Sequence, residues 1–167
     1  MLMVFSGLPG TGKTTLARQL ALDLGALYLR IDTIEQAIRN SGALAGDVGR
    51  SGYFVANELA SNNLRLGNTV VVDGVNPVTA SRQAWCDVAE RSGASLMNVQ
   101  VVCSDAREHQ RRVEARAGDI AGLVPPDWGS VLNHEYEPWS TPPFTVDTAS
   151  ASAQEAVAMI LRKVKTF

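Results

Sequence analysis

Residues 1–24 read MLMVFSGLPGTGKTTLARQLALDL. The first six are apolar or small and suit a buried strand. Gly7 to Thr14 fit G-x-x-x-x-G-K-[ST] in full. Leu16, Leu20 and Leu24 then recur every four residues, the spacing of one helix face, and Gly25 is a stop signal. Strand, glycine loop and helix together are the setting in which this pattern binds polyphosphate. Three glycines let the backbone curl so that successive N–H groups point inward, and the helix N-terminus adds a partial positive charge. The expected contacts come from Gly7, Pro9, Gly10, Thr11, Gly12, Lys13, Thr14 and Thr15. Lys13 would reach the β- and γ-phosphates, and the Thr14 hydroxyl would ligate Mg²⁺.

Outward from this loop, the chain alternates strands and helices. Ala26–Ile31, Thr69–Val72, Ser95–Cys103 and Phe144–Asp147 read as further strands. Helical spacing is predicted over 32–40, 53–66, 77–92, 105–117 and 152–164. This alternation implies an α/β fold, a parallel sheet with helices on both faces, because near-continuous apolar strands must be buried on both sides. The chain is 167 residues long with no linker or repeat, so a single domain over 1–167 is expected. Substrate sites in such sheets lie beyond the carboxyl ends of the strands.

Composition narrows the partners. A net charge of −2 argues against a nucleic-acid surface, which needs a basic stripe. No apolar run approaches the ~20 residues that span a membrane, and the N-terminus lacks the basic region and cleavage site of a leader, so a cytoplasmic location is expected. Cys86 and Cys103 show no metal-ligand spacing and read as small buried hydrophobes in a reducing compartment. Lysine occurs three times, and Lys13 is the one ahead of the C-terminal helix.

Three further places carry candidate chemistry. Asp73 closes the third strand, where a Walker-B carboxylate would hold Mg²⁺ through water, although an aspartate there could also cap the following turn. Asp32 follows the second strand and could orient an acceptor hydroxyl and take its proton. Asp32 and Glu35 also have the spacing of a capping box, and both roles stay open. Arg112 and Arg116 lie four apart in an arginine-rich segment ahead of Gly118 and Gly122, so they could share a helix face on a lid over about 105–122. A solvated helix laced by pairs such as Glu108–Arg112 is the plainer alternative.

With Gly7–Thr14, the stretch from Arg30 to Ala37, the strand ending in Asp73, and Cys103 through Asp119, the chain resembles small P-loop kinases grouped with chloramphenicol phosphotransferase and the zeta-toxin kinases. The resemblance implies a three-layer α/β/α, nucleotide-kinase-like fold with a helical lid and a five-stranded parallel sheet in the order 2-3-1-4-5. It implies ATP and Mg²⁺ as cofactors, Asp32 as base, and Arg112 and Arg116 as lid arginines. It also implies that the loop at Asp147-Thr148-Ala149 cradles the adenine. Asp73 is followed here by Gly74-Val75-Asn76 rather than by a second acidic residue, and 124–143 has no counterpart in the chloramphenicol enzyme, so that antibiotic does not follow as the acceptor.

The expected activity is transfer of the ATP γ-phosphoryl group to a hydroxyl of a small molecule, such as an antibiotic, a nucleoside or a sugar-like compound. The acceptor is expected against residues 33–66 and 128–141, where Tyr53, Phe54, Trp128, Tyr136 and Trp139 could line a ring-binding pocket or simply be core. His109 and His134 have no partner at a telling spacing and read as surface or lid residues. Two alternatives stand beside this reading. One is a P-loop module that binds or hydrolyses nucleotide without an acceptor, and the other is a zeta-toxin-like nucleotide-sugar kinase.

Overall fold

A computed structural model describes residues 1–166. Five parallel strands form one sheet: β1 (Leu2–Ser6), β2 (Leu27–Arg30), β3 (Val70–Asp73), β4 (Leu96–Val102) and β5 (Phe144–Asp147). Their spatial order is β2-β3-β1-β4-β5, with Phe5 level with Asp73 and Arg30 level with Asp73 on the other side. The helices are α1 (Lys13–Leu24), α2 (Ile31–Asn40), α3 (Ser51–Arg65), α4 (Thr79–Arg91), α5 (Ala106–Glu114), α6 (Trp128–Leu132) and α7 (Ala153–Val164).

The strand period of two splits the core in half. On one face Met3, Phe5, Val71, Val99 and Val146 pack against Leu16 and Leu20 of α1 and Ile160 of α7. On the other, Leu2, Val4, Val70 and Val72 pack against Ala56 and Ala60 of α3 and Trp85 of α4. All five residues of β1 are buried, as a central strand covered on both faces requires. The order 2-3-1-4-5 and the three-layer α/β/α arrangement are therefore those expected from the sequence.

Helix ends differ in informative ways. α2 begins at Ile31 with Arg30 as its N-cap and no side-chain cap hydrogen bond, so Asp32 and Glu35 do not form the capping box that their spacing allows. α5 stops at Glu114, three residues short of the expected end, which leaves Arg116 in the turn beyond the helix. A short helix, α6, interrupts the stretch expected to be irregular. Its cap is Asp127, which accepts from the Ser130 amide at 2.7 Å.

Residues 136–139 are fastened to α4 by one buried side chain. Arg82 donates to the carbonyls of Asn76, Pro77, Glu137 and Pro138 at 2.8–3.1 Å. Its guanidinium also lies over the rings of Tyr136 and Trp139, 4.9 and 4.2 Å from their centroids. Asn76, left-handed at φ 47°, closes the knot by donating to the Phe5 carbonyl and accepting from the Trp85 indole. Among the described residues, no helix is long and apolar enough to cross a membrane.

Candidate active site

The loop between β1 and α1 has the curled backbone that its glycines allow. Gly10 and Gly12 sit at φ 84° and 89°, in the left-handed region that a residue with a Cβ avoids. Thr11 closes the curl, with its amide and hydroxyl both donating to the Leu8 carbonyl. Gly12 caps α1, so the first amides of that helix face the loop's hollow. A cavity of about 300 Å³ opens there, lined by Gly12, Lys13, Thr14, Thr15, Arg112 and Arg116 among others.

Lys13 is 6% exposed. Burial pulls its ammonium below the ordinary value, against the attraction of Asp73 and Asp32 and with the added repulsion of Arg116 and Arg30. An anionic ligand beside a lysine held this way favours its charged form.

A second hollow, about 120 Å³, shares Lys13, Arg116 and Asp119 with the first and adds Asp32. Its remaining wall is apolar, built by Val75 and by the turn Leu123–Pro126. Asp32 thus lines the smaller space, which shares Lys13 and Arg116 with the phosphate-sized one. Its nearest charged partner is Arg30, at 3.7 Å.

Behind both hollows lies a charge cluster built on Arg30, which is 5% exposed. Its two terminal nitrogens donate to the carboxylate oxygens of Asp119 at 2.6 and 3.0 Å, and its Nε faces Asp73 at 3.8 Å. Burial works against the guanidinium's charge. The hydrogen bonds and charge of Asp119, with Asp73 and Asp32, outweigh it and hold Arg30 above its ordinary value. Asp119 in turn is held at about 2, first by the hydrogen bonds from Arg30. Arg18 and Arg116 also face it, at 3.4 and 3.8 Å.

Asp73 is 2% exposed. One carboxylate oxygen accepts from the Tyr28 hydroxyl at 2.8 Å, while the other, Oδ1, is buried with no hydrogen-bond partner among the described residues. Burial and the Asp73 charge push the Tyr28 hydroxyl well above its ordinary value, so it stays a donor.

The arginine segment splits into two kinds of residue. Arg112 is engaged: it donates to Glu108 at 2.7 Å and to the hydroxyl and carbonyl of Thr148 at 2.8 and 3.0 Å. The Thr148 hydroxyl also bonds the Thr11 carbonyl at 2.8 Å, which links α5, the β5 loop and the phosphate loop. Among the described residues, Arg116 has only the 3.8 Å contact with Asp119, and it faces both hollows. The two arginines converge on the phosphate space although they do not share a helix face.

Other expected site residues fall elsewhere. Asp147 turns its carboxylate to the amides of Ser104 and Ala149, both at 3.0 Å, so it shapes the loop. The hollow of about 270 Å³ beside the phosphate space is lined instead by Thr148, Ala151, Ser152 and Ala153, with Gly12 and Arg112. His109 is not a surface residue. It is 7% exposed, bonds the Pro9 carbonyl through Nε2 at 2.8 Å and packs edge-on against Trp128. His134 is exposed, as expected. Of the five candidate ring-binding residues, Tyr136 and Trp139 sit on Arg82, Trp128 sits on His109, and the Tyr53 hydroxyl accepts from the Asn76 amide. Phe54 is 65% exposed. Asp119 and Arg30, the centre of the charge cluster, were not singled out by the sequence as site residues.

Residues 2–123 match the family model described as an AAA domain. A Pyrococcus furiosus protein named as a candidate adenylate kinase is 40% identical over 147 residues, covering 75% of this chain and 78% of that one. A solved structure of a candidate kinase from Chloroflexus aurantiacus shares the fold at a TM-score of 0.75 and 19% identity, over 99% of this chain and 96% of the other. The APS kinase of Mycobacterium tuberculosis, in complex with AMPPNP and APS, gives 0.72 and 19% over 98% and 96%. A gluconokinase from Sinorhizobium meliloti gives 0.66 and 19% over 98% and 93%. The chain belongs to the AAA domain family and is a kinase-like P-loop domain.

Proposed function

We propose that this member of the AAA domain family is an ATP-dependent kinase that moves the γ-phosphoryl group to a hydroxyl of a small molecule. The observation that carries the reading is the pair of joined hollows. Lys13 and Arg116 line both, and Asp32 stands in the smaller one with no hydrogen bond of its own helix to satisfy. A phosphoryl acceptor needs that kind of place, next to the phosphates but separate from them.

The chain's groups have distinct tasks. The loop amides around Gly10 and Gly12, with Lys13, bind the β- and γ-phosphates, and Thr15 contacts phosphate from the first turn of α1. Thr14 and Asp73 would hold Mg²⁺, Thr14 through its hydroxyl and Asp73 through water. The unpartnered buried Oδ1 of Asp73 fits that group, since a buried carboxylate oxygen calls for a donor. Bound there, the ion would screen the charge of the phosphates. Arg112 and Arg116 spread the charge that builds on the phosphoryl oxygens as the bond to the leaving oxygen lengthens. Asp32 accepts the hydrogen bond of the acceptor hydroxyl, aims it, and takes its proton. The hollow at Thr148–Ala153 takes the base.

The resemblance to chloramphenicol phosphotransferase supports an alcohol as the acceptor. Transfer from γ-labelled ATP to a panel of alcohols, nucleosides, sugars and antibiotics tests this. Label should enter at least one acceptor, and Asp32→Asn should lower that transfer by about 10²–10⁴-fold with little change in ATP affinity. Full transfer by the variant would remove Asp32 from the chemistry.

A further inference from the structure

We infer that the acceptor is a neutral or cationic alcohol, one that carries no phosphate, sulfate or carboxylate group. The inference rests on the reading of the Asp32 hollow as the acceptor's place, and it adds the charge of what enters.

An anionic acceptor needs cations to hold it, and arginine forks are the usual means. The two cations of the Asp32 hollow, Lys13 and Arg116, also line the phosphate hollow, where the triphosphate claims both. The next nearest, Arg30, is buried among carboxylates: its nitrogens face Asp119 at 2.6 and 3.0 Å, Asp32 at 3.7 Å and Asp73 at 3.8 Å. Its Nε makes no hydrogen bond among the described residues, but it is buried and faces Asp73 rather than the hollow, and both terminal nitrogens are taken by Asp119.

The first turns of α2 carry the opposite charge. Asp32 lies in the hollow; Glu35 follows three residues later, outside it, where burial first, helped by Asp32 and Asp47 and opposed by Arg39, pushes its carboxyl above the ordinary value. The cation of this helix, Arg39, is 3.6 Å from Glu35 and is matched by it. Arg50 lines a different groove, with Tyr53, Phe54 and Pro77. The remaining wall, Val75 and Leu123–Pro126, offers apolar contact and no donor fork. A nucleoside monophosphate would bring two negative charges to a place that already holds carboxylates, and like-charge juxtaposition of this kind excludes partners.

The test is calorimetry on the full chain with Mg²⁺, comparing ATP with diadenosine pentaphosphate. The latter tethers a nucleoside monophosphate end to a triphosphate. If the acceptor hollow took such a group, the tether would raise affinity over ATP by about a hundredfold or more. The expected result is binding within about tenfold of ATP, and a gain beyond about tenfold overturns the inference. In parallel, label from ATP is offered to adenosine and AMP, and to sugars and their phosphates. The uncharged member of each pair should be the better acceptor, and faster labelling of the phosphorylated member overturns the inference. Should ATP itself fail to bind, the kinase reading falls first and this inference falls with it. Should ATP bind and diadenosine pentaphosphate bind far more tightly, only the charge of the acceptor has been misread.

Discussion

Arg30 at the end of β2 and Asp119 beyond α5 are clamped by two parallel hydrogen bonds, 2.6 and 3.0 Å long, across 89 residues of chain. The arginine is buried and the carboxylate is partly exposed, with a side chain 42% accessible. The pair fixes the turn that carries Arg116 against the edge of the sheet. It also brings a third carboxylate, beside Asp73 and Asp32, to one guanidinium.

Asp119→Asn should destabilise the protein by about 1–2 kcal/mol at neutral pH, less than for a fully buried pair because solvent screens the carboxylate. The folded value of Asp119, about 2, lies below its ordinary 3.8. The stabilisation is therefore complete above pH 3.8 and is lost as pH falls through about 2. Urea unfolding of both proteins should show a gap that is constant above that range and closes at the acid end.

Lys13→Met should abolish Mg·ATP binding in calorimetry while raising the melting temperature of the nucleotide-free protein. Burial lowers the folded value of Lys13 below 10.5, so charging it costs stability at neutral pH, and the cost vanishes above 10.5. A gain of about 1 kcal/mol would appear as a rise of roughly 2–4 °C in a chain of this length. A fall in melting temperature would show that Asp73 and Asp32 hold the ammonium more strongly than burial disfavours it.

The two lid arginines should separate kinetically. Arg112→Ala removes the bonds to Thr148 and loosens the phosphate loop through Thr11, so KM for ATP should rise by about tenfold or more on top of a fall in kcat. Arg116→Ala breaks only a long contact with Asp119 and should lower kcat by about 10²–10³-fold with a small change in KM. Steady-state kinetics with any accepted alcohol distinguishes the two.

Arg82→Met should cost about 3 kcal/mol, because four carbonyls and two ring faces lose their cation together. The loss should be local first. Amide exchange at Glu137, which donates to the Pro77 carbonyl at 2.8 Å, should rise before exchange in β1 or β3 does.

The sheet and the phosphate loop were legible because both are written in local pattern. β1 is an apolar run ending at a glycine signature, and the leucine spacing of α1 follows at once. The strand order came from the family resemblance rather than from any periodicity. What stayed hidden depends on contacts between distant segments. Nothing near Asp119 in sequence announces a buried arginine 89 positions earlier, and nothing near Arg82 announces the carbonyls at Glu137 and Pro138. His109 read as a surface or lid residue with no partner because that partner, the Pro9 carbonyl, is a backbone atom that any residue could supply. The Asp32–Glu35 spacing suggested a cap, but Arg30 holds the N-cap position and Asp32 is left facing the hollow.

A Cβ placed on Gly10 would sit 2.5 Å from Val113 of α5 and 3.2 Å from the His109 ring. The helix thus rests directly on the bare backbone of the phosphate loop, held by His109 on one side and by Arg112 through Thr148 on the other. Moving that helix away would break the His109–Pro9 and Arg112–Thr148 hydrogen bonds and bare the glycine it covers. The segment after Glu114 is tied instead to the opposite edge of the sheet, where the Asp119 carboxylate accepts from both terminal nitrogens of Arg30, so the two ends of the arginine segment answer to different strands.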